Sequence, residues 1–480
     1  MLTNAAPNSA LPTARELVSL TVPQLGMMLC HLAVSMTDLW VAGRLDASVQ
    51  ASLGIVSQVF TLLMLITSLA GSGCLTTISQ ALGAGLEQRA RRYAALIAGL
   101  AGLTGTAIAA TSLLCLPMTL RLMHVSPEME PVVRTFIIAY SCQLPFYYTL
   151  IMLNSVFRAY KLVRLPLIAI AVVAVGNLIG SAGFGLGLCG LPDYGYQGIA
   201  WSTFGSALLG LACNLYAIVR HGILNRASLA PWRWARRAMP YLFQVGGPSA
   251  LGALAGHMGN LVILSLLTGL PGDMVPVLAG MTLGSRVESF LTFPTAALSM
   301  TVTILSGHLI GANRPEALFR FGQRLALAAA LALGFGAGLL FVFRVPVAEM
   351  LSTQPEVVRQ AAQFLVFACA GIPLKTYSML VNGAFAGAGA TRVSCKVNCV
   401  TMWALQLPLA WTLGNAFGAT GIYAAMLCAN AGSAFWYARL YAGKKWLENV
   451  RMPDEPKEEN AVCPKSETTP DSSRLCWKTT

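Results

Sequence analysis

The chain has 480 residues, of which 56% are hydrophobic and 11% charged, with a mean hydropathy of +0.64. Soluble domains carry about a quarter charged residues, so a soluble fold of this length could not cover its surface. The formal net charge is +13, but the basic residues lie singly or in small groups between apolar runs. That pattern argues against a nucleic-acid surface and for loop placement in a polytopic membrane protein.

Apolar windows, each long enough at 1.5 Å per residue to cross a core about 30 Å thick, predict about twelve spans. They fall at 17–43, 53–83, 93–120, 134–157, 166–189, 196–219, 240–268, 276–311, 325–348, 361–388, 397–417 and 419–442. Residues 1–19 are polar and lack a short apolar stretch followed by a cleavage site, so the first span is expected to be an uncleaved helix. The division is a terminal segment (1–16), a first lobe (17–220), a basic linker (221–239), a second lobe (240–443) and a tail (444–480). The tail is rich in Lys, Glu, Pro, Ser and Thr and reads as disordered. Even-to-odd loops hold clusters such as Arg89, Arg91 and Arg92, or Arg233, Arg236 and Arg237, whereas the other side has Arg44, Arg121, Arg134, Arg344 and Arg359. By the positive-inside bias both termini are expected in the cytoplasm. The cysteines are scattered, mostly through apolar segments, with no CxxC pair and no flanking histidine at zinc-ligand spacing. They read as packing residues, and neither a metal nor a cofactor is expected.

An internal repeat joins the two halves. SQALGAGLEQRA (Ser79 to Ala90) matches SGHLIGANRPEA (Ser306 to Ala317), and LPFYYTLIMLNSVFRA (Leu144 to Ala159) matches IPLKTYSMLVNGAFAG (Ile372 to Gly387). Both share one offset, since 311 − 83 and 373 − 145 are each 228. Six spans separate the copies, so the halves cross the membrane in the same sense. The expected architecture is all-α, two parallel six-helix repeats flanking a central cleft.

Ionisable side chains within apolar spans are costly and mark functional positions. Here they are His31, Asp38, His257, Arg286, Glu288, His308 and Lys375. Gln24, His31, Ser35 and Asp38 recur at helical spacing and form one polar stripe on the first helix. Pro23 cannot donate to the carbonyl of Ser19, which makes it a natural bend point. Asp38 is either a cleft carboxylate that alternates between charged and neutral forms, as ion-coupled transport needs, or a solvated group near the outer interface. Arg286 and Glu288 point to different faces. Lys375 is the expected partner of Glu288, in a pair that either holds helices in register or contacts substrate. His257 and His308 read as packing histidines. Phe146, Tyr147, Tyr148, Phe290 and Tyr377 either line a cleft for flat organic cations or face core and lipid.

From about Leu17 to Gly443 the chain resembles bacterial multidrug and toxic compound extrusion (MATE) transporters. PQLGMMLCHLAVSMTDLWVAGRLDA (Pro23 to Ala47), TTISQALGAGLEQRA (Thr76 to Ala90) and the stretch from Gly284 to Ala317 carry the likeness. The resemblance implies V-shaped lobes that export organic, often cationic compounds in exchange for protons or sodium ions. It places a cation site on Asp38, Asn177 and Thr203, with Ser181 where the family has a second acid. A single carboxylate favours proton over sodium coupling. In the second lobe Gly256 and His257 replace a glutamate, and Lys375 replaces an aspartate, which leans toward the DinF-like branch. Lys375 would then act as a built-in cation in a lobe whose charge stays fixed, while Asp38 switches.

Small organic substrates and the bilayer are the expected partners, and a monomer is the family expectation. The leading reading is a proton-driven multidrug antiporter. Its rival is a lipid-linked oligosaccharide flippase of the same superfamily, which usually has about fourteen spans or several basic residues in the cleft. An enzyme is not expected, since no histidine and acid cluster of a catalytic kind occurs at a membrane face.

Overall fold

A computed structural model describes residues 11–444 and 446, apart from 124, 226–227, 229–230 and 272. The tail expected from 444 onward lies otherwise outside the described residues. The first lobe comprises α1 (Ala14–Leu45), α2 (Ala47–Gly83), α3 (Glu87–Leu114), the short α4 (Leu116–Leu122), α5 (Glu130–Ala159), α6 (Arg164–Leu186) and α7 (Tyr196–Arg220). The second comprises α8 (Trp232–Thr268), α9 (Val275–Gly311), α10 (Pro315–Val342), the short α11 (Arg344–Leu351), α12 (Pro355–Ala388), α13 (Thr391–Val400), α14 (Leu407–Phe417) and α15 (Ala419–Ala442). Ten of these helices are long and apolar enough to cross a membrane. A π-helical segment, Thr401–Gln406, joins α13 to α14; these and α15 stand where the sequence predicts the eleventh and twelfth spans.

Local chemistry sets the corners. Thr13 accepts from the backbone N–H of Glu16 at 3.2 Å and caps α1, and Asp46 accepts from that of Ser48 at 2.6 Å to start α2 immediately after α1 ends. Several expected boundaries differ, the second, tenth and eleventh spans each beginning six residues early, at Ala47, Pro355 and Thr391. The third and ninth crossings begin earlier, at Glu87 and Pro315, and each ends in a break before a short helix. The eighth helix of the chain begins at Trp232 and absorbs part of the basic linker, because Trp234, Ala235 and Ala238 are buried.

The repeat is exact in its middle part. The ranges of α2 and α9, and of α3 and α10, coincide at an offset of 228 residues (275 − 47, 311 − 83, 315 − 87, 342 − 114). The positive-φ turn residues coincide too, Gly85 (φ 76°) with Asn313 (φ 55°) and Lys161 (φ 60°) with Gly389 (φ 84°). Within each lobe the equivalent helices α5 and α12 are the most enclosed, with 61% and 56% of their apolar windows buried, so they form the lobe cores around which the others pack.

At one end the lobes are laced together. Thr76 donates to the carbonyl of Ala386 (2.8 Å), Gln80 Nε2 to that of Gly387 (3.1 Å), and the Tyr241 hydroxyl to Gln80 Oε1 (2.7 Å). His308 Nε2 lies 2.9 Å from the carbonyl of Ala159. Gly83 and Gly311 sit in the middle of this seam. A methyl group on either would stand 2.2 Å from the His308 carbonyl oxygen or 2.0 Å from that of Gln80, respectively. Only glycine permits that approach.

Candidate functional site

Three helices converge on Asp38. It lies on α1, 5% exposed, and faces Asn177 and Ser181, one turn apart on α6, and Thr203 on α7. Asn177 Nδ2 donates to Asp38 Oδ1 at 3.0 Å, Ser181 Oγ to the same oxygen at 3.0 Å, and Thr203 Oγ1 to Oδ2 at 3.2 Å. All four expected side chains of this cluster therefore meet. Tyr140 on α5 reaches the same Thr203 hydroxyl and was not among the expected residues. Its signal in the sequence is one tyrosine among several on an aromatic-rich helix.

The arrangement can accommodate both protonation states. Thr203 has one hydroxyl hydrogen and two acceptors in range, Asp38 Oδ2 and the carbonyl of Ile199 at 3.0 Å. It can donate to a charged carboxylate, or turn to Ile199 and accept from a protonated one. Asn177 Oδ1 is buried without a partner, so turning the amide over would present an acceptor to a protonated Asp38. The second-lobe region that corresponds to Asp38, near Ile263 to Leu266, is apolar, with Ile263, Leu266 and Leu267 packed in one cluster. Among the described residues no group of three or more His, Cys, Asp or Glu side chains could hold a metal ion.

The polar stripe of α1 holds its angle, but its surroundings change along the helix. Gln24, expected in the cleft, is instead buried in the seam. Its Nε2 donates to Thr301 Oγ1 of α9 at 2.9 Å, beside a Thr21 to Thr301 contact of 2.9 Å. His31 and Ser35, further along the same face, are exposed. The face thus meets α9 at Gln24 and is uncovered at His31 and Ser35. Pro23 lies buried inside α1, which runs unbroken past it.

In the second lobe Lys375 Nζ donates to Glu288 Oε1 at 2.7 Å, the expected pair. The lysine side chain is 42% exposed and the glutamate 16%. Arg286 and Phe290 are exposed, and His257 is half-buried. His308, read as a packing histidine, makes the seam contact described above. Of the aromatics, Tyr147 is half-buried against Phe60 and Phe146 is exposed. Tyr148 and Tyr377 do not line a cleft. Both are buried inside their lobes, where Tyr148 donates to the carbonyl of Leu63, because they lie on the inward face of the core helices.

Two like helical lobes with a buried carboxylate cluster in one of them define a multi-pass membrane transporter. The MatE family profile matches residues 23–182 and 248–412, and the chain belongs to that family, the MATE transporters. It is 23% identical over 445 residues to a probable multidrug resistance protein NorM of Thermotoga maritima, covering 88% of this chain and 91% of that one. It is 25% identical over 428 residues to an FAD transporter of Shewanella oneidensis, covering 87% and 92%. The solved structure of the Vibrio cholerae MATE transporter VcmN in the bent form superposes with a TM-score of 0.79 at 21% identity, covering 90% of this chain and 96% of that one. An outward-facing multidrug resistance MATE transporter superposes at 0.80 and 18% identity, covering 91% and 97%. These likenesses show the fold.

Proposed function

We propose that this MATE transporter is a multidrug efflux antiporter that exchanges organic compounds for protons at Asp38. The observation that carries the reading is the composition of the buried cluster. One carboxylate faces three neutral groups, each able to donate to it when charged, and two of them can reorganise when it is neutral. A sodium ion would favour several oxygen ligands and charge compensation. Proton binding asks only for the reorganisation of Thr203 and Asn177.

The seam supplies the second conformational element. It joins the lobes at the end where α1 begins; with that end on the cytoplasmic side, as the positive-inside bias expects, the lobes part toward the outside. Protonation of Asp38 alters the hydrogen bonds that tie α1 to α6 and α7. The same α1 joins the seam through Thr21 and Gln24, so one helix bears on both the proton site and lobe closure. Relatives described as multidrug resistance proteins support the export part of this reading.

Ethidium uptake into everted vesicles, driven by a pH gradient alone and then by a sodium gradient alone, tests it. Transport under the pH gradient that disappears in Asp38→Asn is expected. Transport driven by sodium with no pH gradient would overturn proton coupling.

A further inference from the structure

At the laced end of the molecule the charges are out of balance. Among the described residues three acids stand there, Glu16, Glu87 and Glu316. Each is already held by a base, Lys161 at 2.7 Å, Arg91 at 2.6 Å and Lys444 at 3.1 Å respectively. Exposed bases at the same end include Arg15, Arg164 and Arg320. Part of this excess is the orientation signal of the basic loops. The rest surrounds a cavity of about 760 Å³ that lies across the seam, lined from the first lobe by Glu16 and Lys161 and from the second by His308, Asn313 and Arg314.

The described chain ends beside this cavity. Lys444 pairs with Glu316, two residues past Arg314, and lies 4.7 Å over the ring of Phe319. Trp446 is buried, stacked on Tyr441 at 5.2 Å and edge-on to Phe385 at 4.9 Å. The sequence beyond it holds seven of the chain's 19 acids, four of them within the six residues 454–459, DEPKEE. Asp454 is eight residues past Trp446, so an extended chain carries it as far as about 26–29 Å from that anchor. A guanidinium offers five donors and an ammonium three, so Arg314 and Lys161 can each take a carboxylate in addition to their present partners.

We propose that segment 454–459 docks in the seam cavity, its carboxylates on Arg314 of the second lobe and Lys161 of the first, and so latches the two lobes together at this end. The chain's own tail is favoured over a separate anionic ligand because it leaves the second lobe next to the cavity. A connection this short sets an effective concentration of about a millimolar.

Benzoylphenylalanine in place of Ala312, an exposed cavity residue with an ordinary backbone (φ −75°), would photo-cross-link whatever fills the cavity of the full chain in phosphatidylcholine nanodiscs, and mass spectrometry would identify it. Cross-links within one chain to residues 452–461 are expected. Asp454→Asn, Glu455→Gln, Glu458→Gln and Glu459→Gln combined should lower their yield about tenfold, as loss of a charge-assisted hydrogen bond would. All four positions lie outside the described lobes, so that loss is not one of lobe folding. Arg314→Gln and Lys161→Asn should each lower the yield several-fold, Asn being suited to the left-handed backbone at Lys161 (φ 60°). Arg220→Gln, outside the cavity lining, should leave it unchanged. Cross-links to lipid alone, or between two chains, would overturn the proposal. So would a yield that survives neutralisation of the tail, that falls as far in Arg220→Gln, or that responds to Arg314→Gln and not to Lys161→Asn.

Discussion

Gly83 lies so close to His308 that a methyl group on the glycine would stand 2.2 Å from the histidine's carbonyl oxygen. The pseudo-symmetric contact between Gly311 and Gln80 repeats this at 2.0 Å. Both neighbours are backbone atoms of long helices, so neither can yield by rotating a side chain. Gly83→Ala and Gly311→Ala are each expected to push the lobes apart at the seam. Spin labels at Gln88 and Glu316, equivalent residues at the starts of α3 and α10, would report it as a longer and broader distance distribution. An unchanged distribution would show that the seam does not set the spacing of the lobes.

Thr301 is the shared partner of Thr21 and Gln24. Thr301→Val keeps the shape and removes the hydroxyl, leaving buried Gln24 short of a partner. The seam should weaken by about 1–3 kcal/mol, the cost of an unsatisfied buried polar group. The thermal unfolding midpoint should fall, and Gln24→Leu in the same chain should recover part of the loss, because the stranded amide is then gone.

Within the proton cluster the three neighbours of Asp38 are not equivalent. Asp38→Asn is expected to abolish gradient-driven efflux while the protein still folds and inserts. Ser181→Ala removes a donor that has no part in the proposed reorganisation and should slow transport modestly. Asn177→Ala removes one of the two groups proposed to reorganise when Asp38 is neutral, and should cost at least about tenfold more in rate than Ser181→Ala, roughly 1.4 kcal/mol in the barrier. Initial rates of ethidium efflux at fixed pH gradient would rank the three. Equal losses in Ser181→Ala and Asn177→Ala would remove the amide turn from the mechanism.

The Lys375 and Glu288 pair should contribute little to stability despite its short distance, because the lysine is nearly half exposed. A double-mutant cycle with Lys375→Ala and Glu288→Ala, read by thermal or denaturant unfolding, should give a coupling of about 1 kcal/mol or less. A coupling of several kcal/mol would indicate a structural lock holding α9 to α12.

The crossings and the two-lobe repeat were legible because apolar length and a single offset survive in the amino-acid text. Gly83 and Gly311 were visible as part of the repeated motif. What they touch was not, since the carbonyls of His308 and Gln80 carry no side-chain signature. Asp38 and Lys375 stood out as charges in apolar surroundings, and the residues that meet Asp38 came from family resemblance. Gln24 was misplaced for a physical reason. Angular position on a helix says which face a residue shares, and only tertiary packing says where along that face a neighbouring helix covers it.

The substitution of an apolar cluster around Leu266 for a second carboxylate site has an energetic consequence for pumping. Under the proposed coupling through one exchangeable proton, each turnover would move one ion against one substrate molecule. One pH unit is worth about 1.4 kcal/mol, or a factor of ten, so the ratio of substrate outside to inside can grow only about tenfold per unit of pH difference when the substrate is a monovalent cation. That exchange is electroneutral. Export of a zwitterion in return for the same proton carries net charge inward, and the membrane potential then adds its own driving force to the pH difference, about 2.3 kcal/mol per 100 mV.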